Sequence, residues 1–310
     1  MDLLSRLLAL MPITGRLDVR CHFGAPWRIE QPPAQAREIS YHILLSGEAV
    51  LEDAHGAPVA MHAGDIALFP AGGAHTLHDG SGERAAAAQR QTQNGLTVET
   101  NQGVGASADL LCGRFLLPAV PQRLLRENLP ARLVVRSAQS PGAPPERLVQ
   151  LIALMRDEAL EAAAGSESLV NHLSGALFAL TLRYASAAET PPRGLLALAQ
   201  RPRLQPAIDA MFEAPGQAWT LPELAGLCHM SRATFARHFD EAFGRSAADV
   251  LTEIRMTLAG RMLAHGSQPV ADIGEAVGYQ SDAAFQRMFK RHVGMTPAQW
   301  RAAAFDETRA

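Results

Sequence analysis

Two textures of apolar spacing divide the chain. From Gly15 to about Leu117, short apolar runs are broken by Gly and Pro, as in "ISYHILLSGEAVLED", "PVAMHAGDIALFPAG" and "ADLLCGRFLL". Such runs, bounded by turn formers, predict the strands of a small antiparallel sheet or barrel. The interval from Gly80 to Ser107 is rich in Gly, Ser, Gln and Ala with poor period, and reads mostly as a long or partly disordered loop. After Pro145 the spacing turns helical, with Leu148, Leu151, Ile152 and Met155 on one face and Leu169, Leu173, Leu177 and Leu180 on another. Two helices with such faces suit a partner subunit, so a homodimer is expected. The run "ETPPRG", Glu189 to Gly194, reads as a linker because consecutive prolines stop a helix. The expected division is therefore 1–145, a helical dimerisation segment 146–188, a linker 189–194 and a second domain 195–310.

That second domain repeats itself. "TLPELAGLCHMSRATFARHFDEAFGRSAADVL" and "PVADIGEAVGYQSDAAFQRMFKRHVGMTPAQWR" each predict a short helix, a tight turn, a Ser N-cap and a longer helix closed by Gly244 or Gly294. Between them "ADVLTEIRMTLAGRMLA" is one continuous helical pattern without proline. Phe235 and Phe239, like Phe285 and Phe289, lie four apart on one helical face and are expected in the core. The opposite face varies: Arg232, Thr234 and Arg237 in the first unit, and Gln280, Ser281, Asp282, Gln286, Arg287 and Lys290 in the second. Those side chains are of the kinds that reach base edges or phosphates. A constant core beneath a varied polar face is what two readers of different bases need. On one linker helix, two such helices can enter successive major grooves about 34 Å apart. Helix-turn-helix pairs also occur as plain packing units, and the tandem repeat weighs against that alternative.

Charge sharpens this picture. The formal net charge is −3, which gives no general attraction to nucleic acid or membrane. From Leu195 to Ala310 there are 12 Lys and Arg against 12 Asp and Glu, so any basic DNA-facing surface must be a local cluster. With 310 residues, 47% of them hydrophobic, the chain is long enough for real cores. No apolar segment approaches the roughly 20 residues needed to cross a bilayer. The opening "MDLLSRLLALMP" reads as a helix packed on the protein's own body, with no cleavage site after it. Three cysteines at wide, unmatched spacings, Cys21, Cys112 and Cys228, form neither a disulfide framework nor a zinc knuckle. A soluble protein of the reducing cytoplasm is expected.

The residues "SRATFARHFDEAFGRS" and "DIGEAVGYQSDAAFQRMFKRHVGMTPAQWR", with the closing Gly294, Thr296, Pro297 and Trp300, resemble the two helix-turn-helix units of AraC/XylS-type transcriptional regulators over roughly Gln217 to Ala303. The resemblance implies sequence-specific binding to promoter DNA, RNA polymerase as a partner and, most often, activation.

"GDIALFPAGGAH" fits the second motif of the cupin barrel at Gly64, Pro70, Gly72 and His75, with Asp79 where that family often has Asn. The fold expected is thus α+β, a cupin-like β-barrel followed by an all-α domain. In metal-dependent cupins a first motif supplies two His and a Glu, and here those positions fall on about Ala34, Ala36 and Ser40. A metal centre is therefore not expected, nor is a cofactor. The alternative, a cupin dioxygenase or isomerase fused to a DNA-binding domain, is weakened by the same loss. His42, two residues past Ser40 on the same strand face, can point inward toward His75. The pair reads either as buried, hydrogen-bonded support for the barrel or as an effector pocket for a small molecule or soft metal. His55, His62 and His78 lie near turns and are expected to be exposed.

"MDLLSRLLALM", "CHFGAPW", "LFPAGGAH" and "RPRLQPAIDAMFEAPGQAWTLPELA" further resemble the cupin-containing AraC regulators that respond to reactive chlorine species. There, one Cys lies early, as Cys21 does in a polar turn beside Arg20 and His22, and another directly precedes a Gly, as Cys112 precedes Gly113. The resemblance implies redox sensing through Cys21 and Cys112, since a thiolate is oxidised and then captured by a second thiol. Small apolar filling is the alternative for both, and the reading for Cys228.

Overall fold

The computed structural model describes residues 1–93, 96–136, 146–161, 163–188 and 191–309. Helix α1 (Leu3–Leu10) precedes strands β1 (Thr14–Gly24), β2 (Arg28–Gln31), β3 (Glu38–Ser46), β4 (Glu48–Asp53), β5 (Val59–His62), β6 (Ile66–Phe69), β7 (His75–His78), β8 (Ala88–Gln93), β9 (Leu96–Asn101) and β10 (Ser107–Leu116). Then follow α2 (Arg123–Arg126), β11 (Leu133–Val135), α3 (Glu146–Glu161), α4 (Ser166–Ser186), α5 (Leu195–Ala199), α6 (Gln205–Glu213), α7 (Leu221–Leu227), α8 (Arg232–Phe243), α9 (Ala247–His265), α10 (Val270–Ala276), α11 (Asp282–Val293) and α12 (Pro297–Arg309). The chain forms two compact units, Ile13–Leu117 with Pro130–Pro191, and Met1–Pro12 with Pro118–Leu129 and Pro192–Ala310. Each draws on segments distant in sequence, whereas the sequence reading divides the chain into consecutive blocks. Of the expected linker, residues 189 and 190 lie outside the described residues.

In the sheet unit, seven strands run β11-β6-β3-β10-β1-β9-β8 and four run β2-β7-β4-β5. The inner faces of both sheets share one core, including Phe23, Leu44, Leu51, Met61, Phe69, Leu77 and Leu110. Period-two alternation sets what faces it. On β3, Ser40, His42 and Leu44 turn inward while Ile39, Tyr41 and Ile43 turn outward, yet all six are buried, because α4 covers the outer face. Tyr41 stacks on Phe115, which meets Phe178 of α4 edge-on at 4.9 Å. Gly15 is required here: a Cβ on it would lie 2.1 Å from the Ser174 Cβ of α4.

Three expectations change. The Gly80 to Ser107 interval is no simple loop, since β8 and β9 pair antiparallel and β9 pairs parallel to β1. Their residues are mostly Gln, Thr and Arg and only Glu99 of β9 is buried, so no apolar alternation announces them. The Thr-rich halves around Asn94-Gly95, a dipeptide favoured in tight hairpins, were the available signal. Next, the leucine faces of α3 and α4 are largely consumed internally. Leu148, Ile152, Met155 and Leu177 are buried, and Leu151, Leu173 and Leu180 half-buried, whereas Val149, Leu154, Leu160 and Leu169 are 46, 44, 48 and 40% exposed. Finally, His78 is not exposed at a turn but half-buried on β7, its Nε2 3.5 Å from Glu52; His55 and His62 are exposed as expected.

The helical unit carries the repeat. Thr220 and Ser246 close capping boxes with Glu223 and Asp249, and Ser231 and Ser281 cap α8 and α11. Both longer helices end at a left-handed glycine, Gly244 at φ 80° and Gly294 at φ 88°. The core places Phe285 and Phe289 with Met256, Leu263, Ile273 and Val277, and Trp300 donates to the Gly260 carbonyl oxygen at 3.0 Å. Helix α1 packs on α6, its Arg6 bonded to Asp209 at 2.8 Å and Glu213 at 2.6 Å. Segment Pro118–Leu129 lies on α9, where a Cβ on Gly260 would meet Pro121 at 2.1 Å. Among the described residues no helix is long and apolar enough to cross a membrane.

Candidate functional site

The two helix-turn-helix units present one surface twice. Positions 231–240 and 281–290 follow the same order of exposed, half-buried and buried residues, with Phe235, Phe239, Phe285 and Phe289 at most 1% exposed. Arg232, Arg237, Gln280, Asp282, Gln286, Arg287 and Lys290 all stand on the exposed face. The helix caps engage two of the candidate side chains. Ser281 spends its hydroxyl oxygen accepting from the Ala284 backbone N–H at 3.2 Å, and Thr234 is half-buried with its hydroxyl 2.9 Å from Ser231 Oγ. Both hydroxyls help set the helix N-termini, and each keeps further hydrogen-bonding capacity. Asp282 accepts from Gln286 at 2.8 Å, and Arg237 has Glu241 at 4.0 Å. These surface contacts are weak, worth a few tenths of a kcal/mol, so a phosphate or base readily displaces them. Exposed Arg291, beside Lys290, adds a cation that the sequence pattern does not single out.

A second arrangement lies inside the sheet unit. Sheet register puts His42 of β3 opposite Cys112 of β10, and Cys112 opposite Val19, two residues from Cys21 on β1. Cys21 stands opposite Glu99 of β9. All of these turn to the core, and the result is a buried polar chain. His75 Nδ1 lies 2.9 Å from the Gly73 carbonyl oxygen and its Nε2 2.7 Å from His42 Nε2. His42 Nδ1 lies 3.0 Å from Cys112 Sγ, Cys112 and Cys21 are diagonal neighbours across the β10–β1 pair in the same core, and Cys21 Sγ lies 3.7 Å from a Glu99 oxygen. Arg90 pairs with Glu99 from the surface. Cys21 is thus no turn residue; it is a strand residue 1% exposed, flanked by Arg20 and His22 only because alternate side chains leave the opposite face. Glu99 and Arg90 escape the sequence reading because they sit on the hairpin read as a loop.

The electrostatics of this chain are graded. The Cys112 thiol is drawn down, first by its interaction with Cys21 and then by the charge of His42 and the bond to it, against burial. Cys21 is pushed up by its interaction with Cys112, by burial and by the charges of Cys112 and Glu99. Burial, and then His42, hold His75 down to about 4. A cavity of about 400 Å³ opens beside His42 and Cys112, lined by these and Ser40 with Arg16, Glu38 and Arg114 among its polar wall. Among the described residues no three His, Cys, Asp or Glu are grouped to hold a metal ion. His42 uses its two ring nitrogens in opposite directions, which makes a relay rather than a coordination shell. Cys228 is buried in the helical unit, where burial raises its thiol pKa.

A cupin-like sheet unit joined to a paired helix-turn-helix unit defines a DNA-binding transcriptional regulator. Residues 2–187 match the family model described as Cupin and residues 224–303 that described as Helix-turn-helix domain. The chain is 30% identical over 301 residues, 97% of each chain, to the RCS-specific HTH-type transcriptional activator RclR of Escherichia coli (strain K12). It is 29% identical over 306 residues, 97% of this chain and 98% of the other, to the HTH-type transcriptional regulator MtrA of Neisseria gonorrhoeae. Among solved structures, the DNA-binding domain of AdpA in complex with a target DNA is 29% identical, matching 33% of this chain and 91% of that one at a TM-score of 0.31. The chain belongs to the AraC family of DNA-binding transcriptional regulators, in the branch carrying a cupin domain. It is a regulator and not an enzyme: the relatives aligned with it end to end are transcriptional regulators, which sets aside the fused cupin metalloenzyme.

Proposed function

We propose that this regulator is an oxidant-responsive transcriptional activator, in which oxidation of Cys21 and Cys112 within the cupin domain changes promoter binding. The observation that carries the reading is the placement of these two buried thiols as diagonal neighbours on β1 and β10, with Cys112 bonded to His42 at 3.0 Å. Similarity to an activator named for reactive chlorine species supports hypochlorite as the oxidant class. Chain connectivity supports the route outward: β10, which carries Cys112, runs on through Leu117 into Pro118–Leu129, a segment that folds onto α9 in the helical unit. A disulfide needs Cβ atoms about 3.5–4.5 Å apart, closer than diagonal neighbours on a sheet usually stand, so oxidation pulls β10 against β1. On this reading Arg232, Thr234, Arg237, Gln280, Ser281, Asp282, Gln286, Arg287 and Lys290 form the surface that meets promoter DNA, RNA polymerase is the downstream partner, and exposed Val149, Leu154, Leu160 and Leu169 join two copies.

Operator binding and in vitro transcription with and without hypochlorite test it. The parent should form the Cys21–Cys112 disulfide, keep Cys228 reduced and change its transcription output. Cys21→Ser should abolish the response and leave basal DNA binding intact. A Ser variant that responds as the parent does would overturn the reading. In that case a small-molecule effector in the 400 Å³ cavity beside His42, with His75 behind it, becomes the better account.

A further inference from the structure

The two thiols are not equivalent, and the difference lies in what surrounds each. Cys112 Sγ touches an imidazole nitrogen and its residue lines the cavity, whereas Cys21 does not line it and has a carboxylate for its other neighbour. The protonation pattern follows from the far end of the chain. The Gly73 carbonyl oxygen can only accept, so His75 donates from Nδ1. A neutral His75, held down to about 4, then offers Nε2 as an acceptor, so His42 must donate from its own Nε2. His42 Nδ1 is thereby left as the group that shares a proton with Cys112. A backbone carbonyl three groups away sets the tautomer that faces the thiol. At the other end Glu99, paired with Arg90, is an anion beside Cys21, and an anion opposes formation of a second thiolate there.

We propose that Cys112 is the thiol that reacts first, with His42 as its proton acceptor and Cys21 as the resolving thiol, and that a small two-electron oxidant such as hypochlorous acid reaches it through the cavity. This rests on the redox reading above and adds an order of events and a base. With the Cys112 proton on His42 Nδ1, the thiolate sulfur attacks the chlorine of HOCl. An S–Cl bond forms, the Cl–O bond breaks, and the departing hydroxide takes up the proton from His42 as water. Cys21 sulfur next attacks Cys112 sulfur; the S–S bond forms, the S–Cl bond breaks and chloride leaves. The Cys21 proton passes to Glu99, 3.7 Å away, and on to solvent. Two thiols and one HOCl yield one disulfide, water, chloride and one proton, with two electrons moved from sulfur to chlorine. His75 acts through His42 and is a positioning residue.

The test is dose-limited hypochlorite on the full-length protein, with dimedone trapping and peptide mapping. In Cys21→Ser the Cys112 sulfenyl chloride has no partner, hydrolyses to the sulfenic acid and is captured by dimedone. In Cys112→Ser, Cys21 should stay reduced at doses that fully oxidise the parent. His42→Asn, which keeps an acceptor near Nδ1 but takes no proton, should slow Cys112 modification about 100-fold or more, the contribution expected of a positioned base. His75→Ala should slow it also, and His75→Gln, whose amide oxygen can accept from His42 Nε2, should restore most of the rate. Cys21 modification in Cys112→Ser at the parental rate would overturn the order. An unchanged rate in a folded His42→Asn protein would overturn the base. Should His42→Asn not fold, failure of His75→Gln to recover the rate lost in His75→Ala overturns it instead. A parent that forms no disulfide, while Cys112 is still trapped first, defeats the switch and leaves the order standing.

Discussion

Replacing Arg245 with Met removes the nearest cation from a carboxylate that has no exposure to solvent. Glu253 sits in the middle of α9 with its side chain 0% exposed, paired with Arg245 and 3.7 Å from Arg123, and it accepts from Asn128 Nδ2 at 2.9 Å. Burial raises its pKa, and Arg245 leads the groups that lower it again. Breaking a buried pair costs about 3–5 kcal/mol when the remaining charge is left alone. Here Arg123 and Asn128 stay, and Arg245 is itself 30% exposed, so a loss of about 2–3 kcal/mol is expected near pH 8. The sign of the pH dependence follows from the direction of the shift. A folded pKa above the unfolded value contributes stability that is full below that value, here 4.5, and is lost as pH rises through the folded one. Met at 245 lifts the folded pKa further, so the deficit against the parent is largest near pH 8 and shrinks on acidification toward pH 5. Urea unfolding of the full chain, followed through Trp219 and Trp300 fluorescence and far-UV ellipticity, measures it. Adding Glu253→Leu to Arg245→Met should recover most of the loss, because no buried charge then remains. A deficit that does not vary with pH, or a double variant no better than the single one, would refute the reasoning.

Arg237→Ala or Arg287→Ala should weaken specific operator binding by about 1–3 kcal/mol if the guanidinium holds a base bidentately. Lys290→Ala should weaken all sequences alike and lower the salt slope by about one phosphate's share, read by anisotropy over a salt series. Phe285→Ala, at a fully buried position, should cost about 3–5 kcal/mol in denaturant unfolding. Gly15→Val, which forces the helix α4 backbone at Ser174 to move, should cost about 1–3 kcal/mol with the DNA-binding surface untouched. Leu154→Lys with Leu160→Lys, both exposed, should leave stability unchanged and shift sedimentation at micromolar concentration from dimer to monomer.

What the sequence alone determines here is what short-range spacing can encode. The i, i+4 phenylalanines, the serine caps and the closing glycines each act within one or two turns, so the paired helix-turn-helix units and their exposed polar face were legible in the sequence. Even there, the commitment of Ser281 and Thr234 to the helix N-termini needed hydrogen-bond geometry. Gly64, Pro70, Gly72 and His75 marked the barrel for the same reason, as turn-forming residues at fixed separation. The buried chain from Glu99 to His75 was decided only by tertiary structure. Its residues come from β9, β1, β10, β3 and β7, and their meeting depends on strand order and register, including the parallel β1–β9 pair, which no local period records. The same holds for Pro118–Leu129 and α1. Asn128 and Glu253 are 125 residues apart, and a polar side chain in a linear sequence carries no sign of the buried partner that will stabilise it.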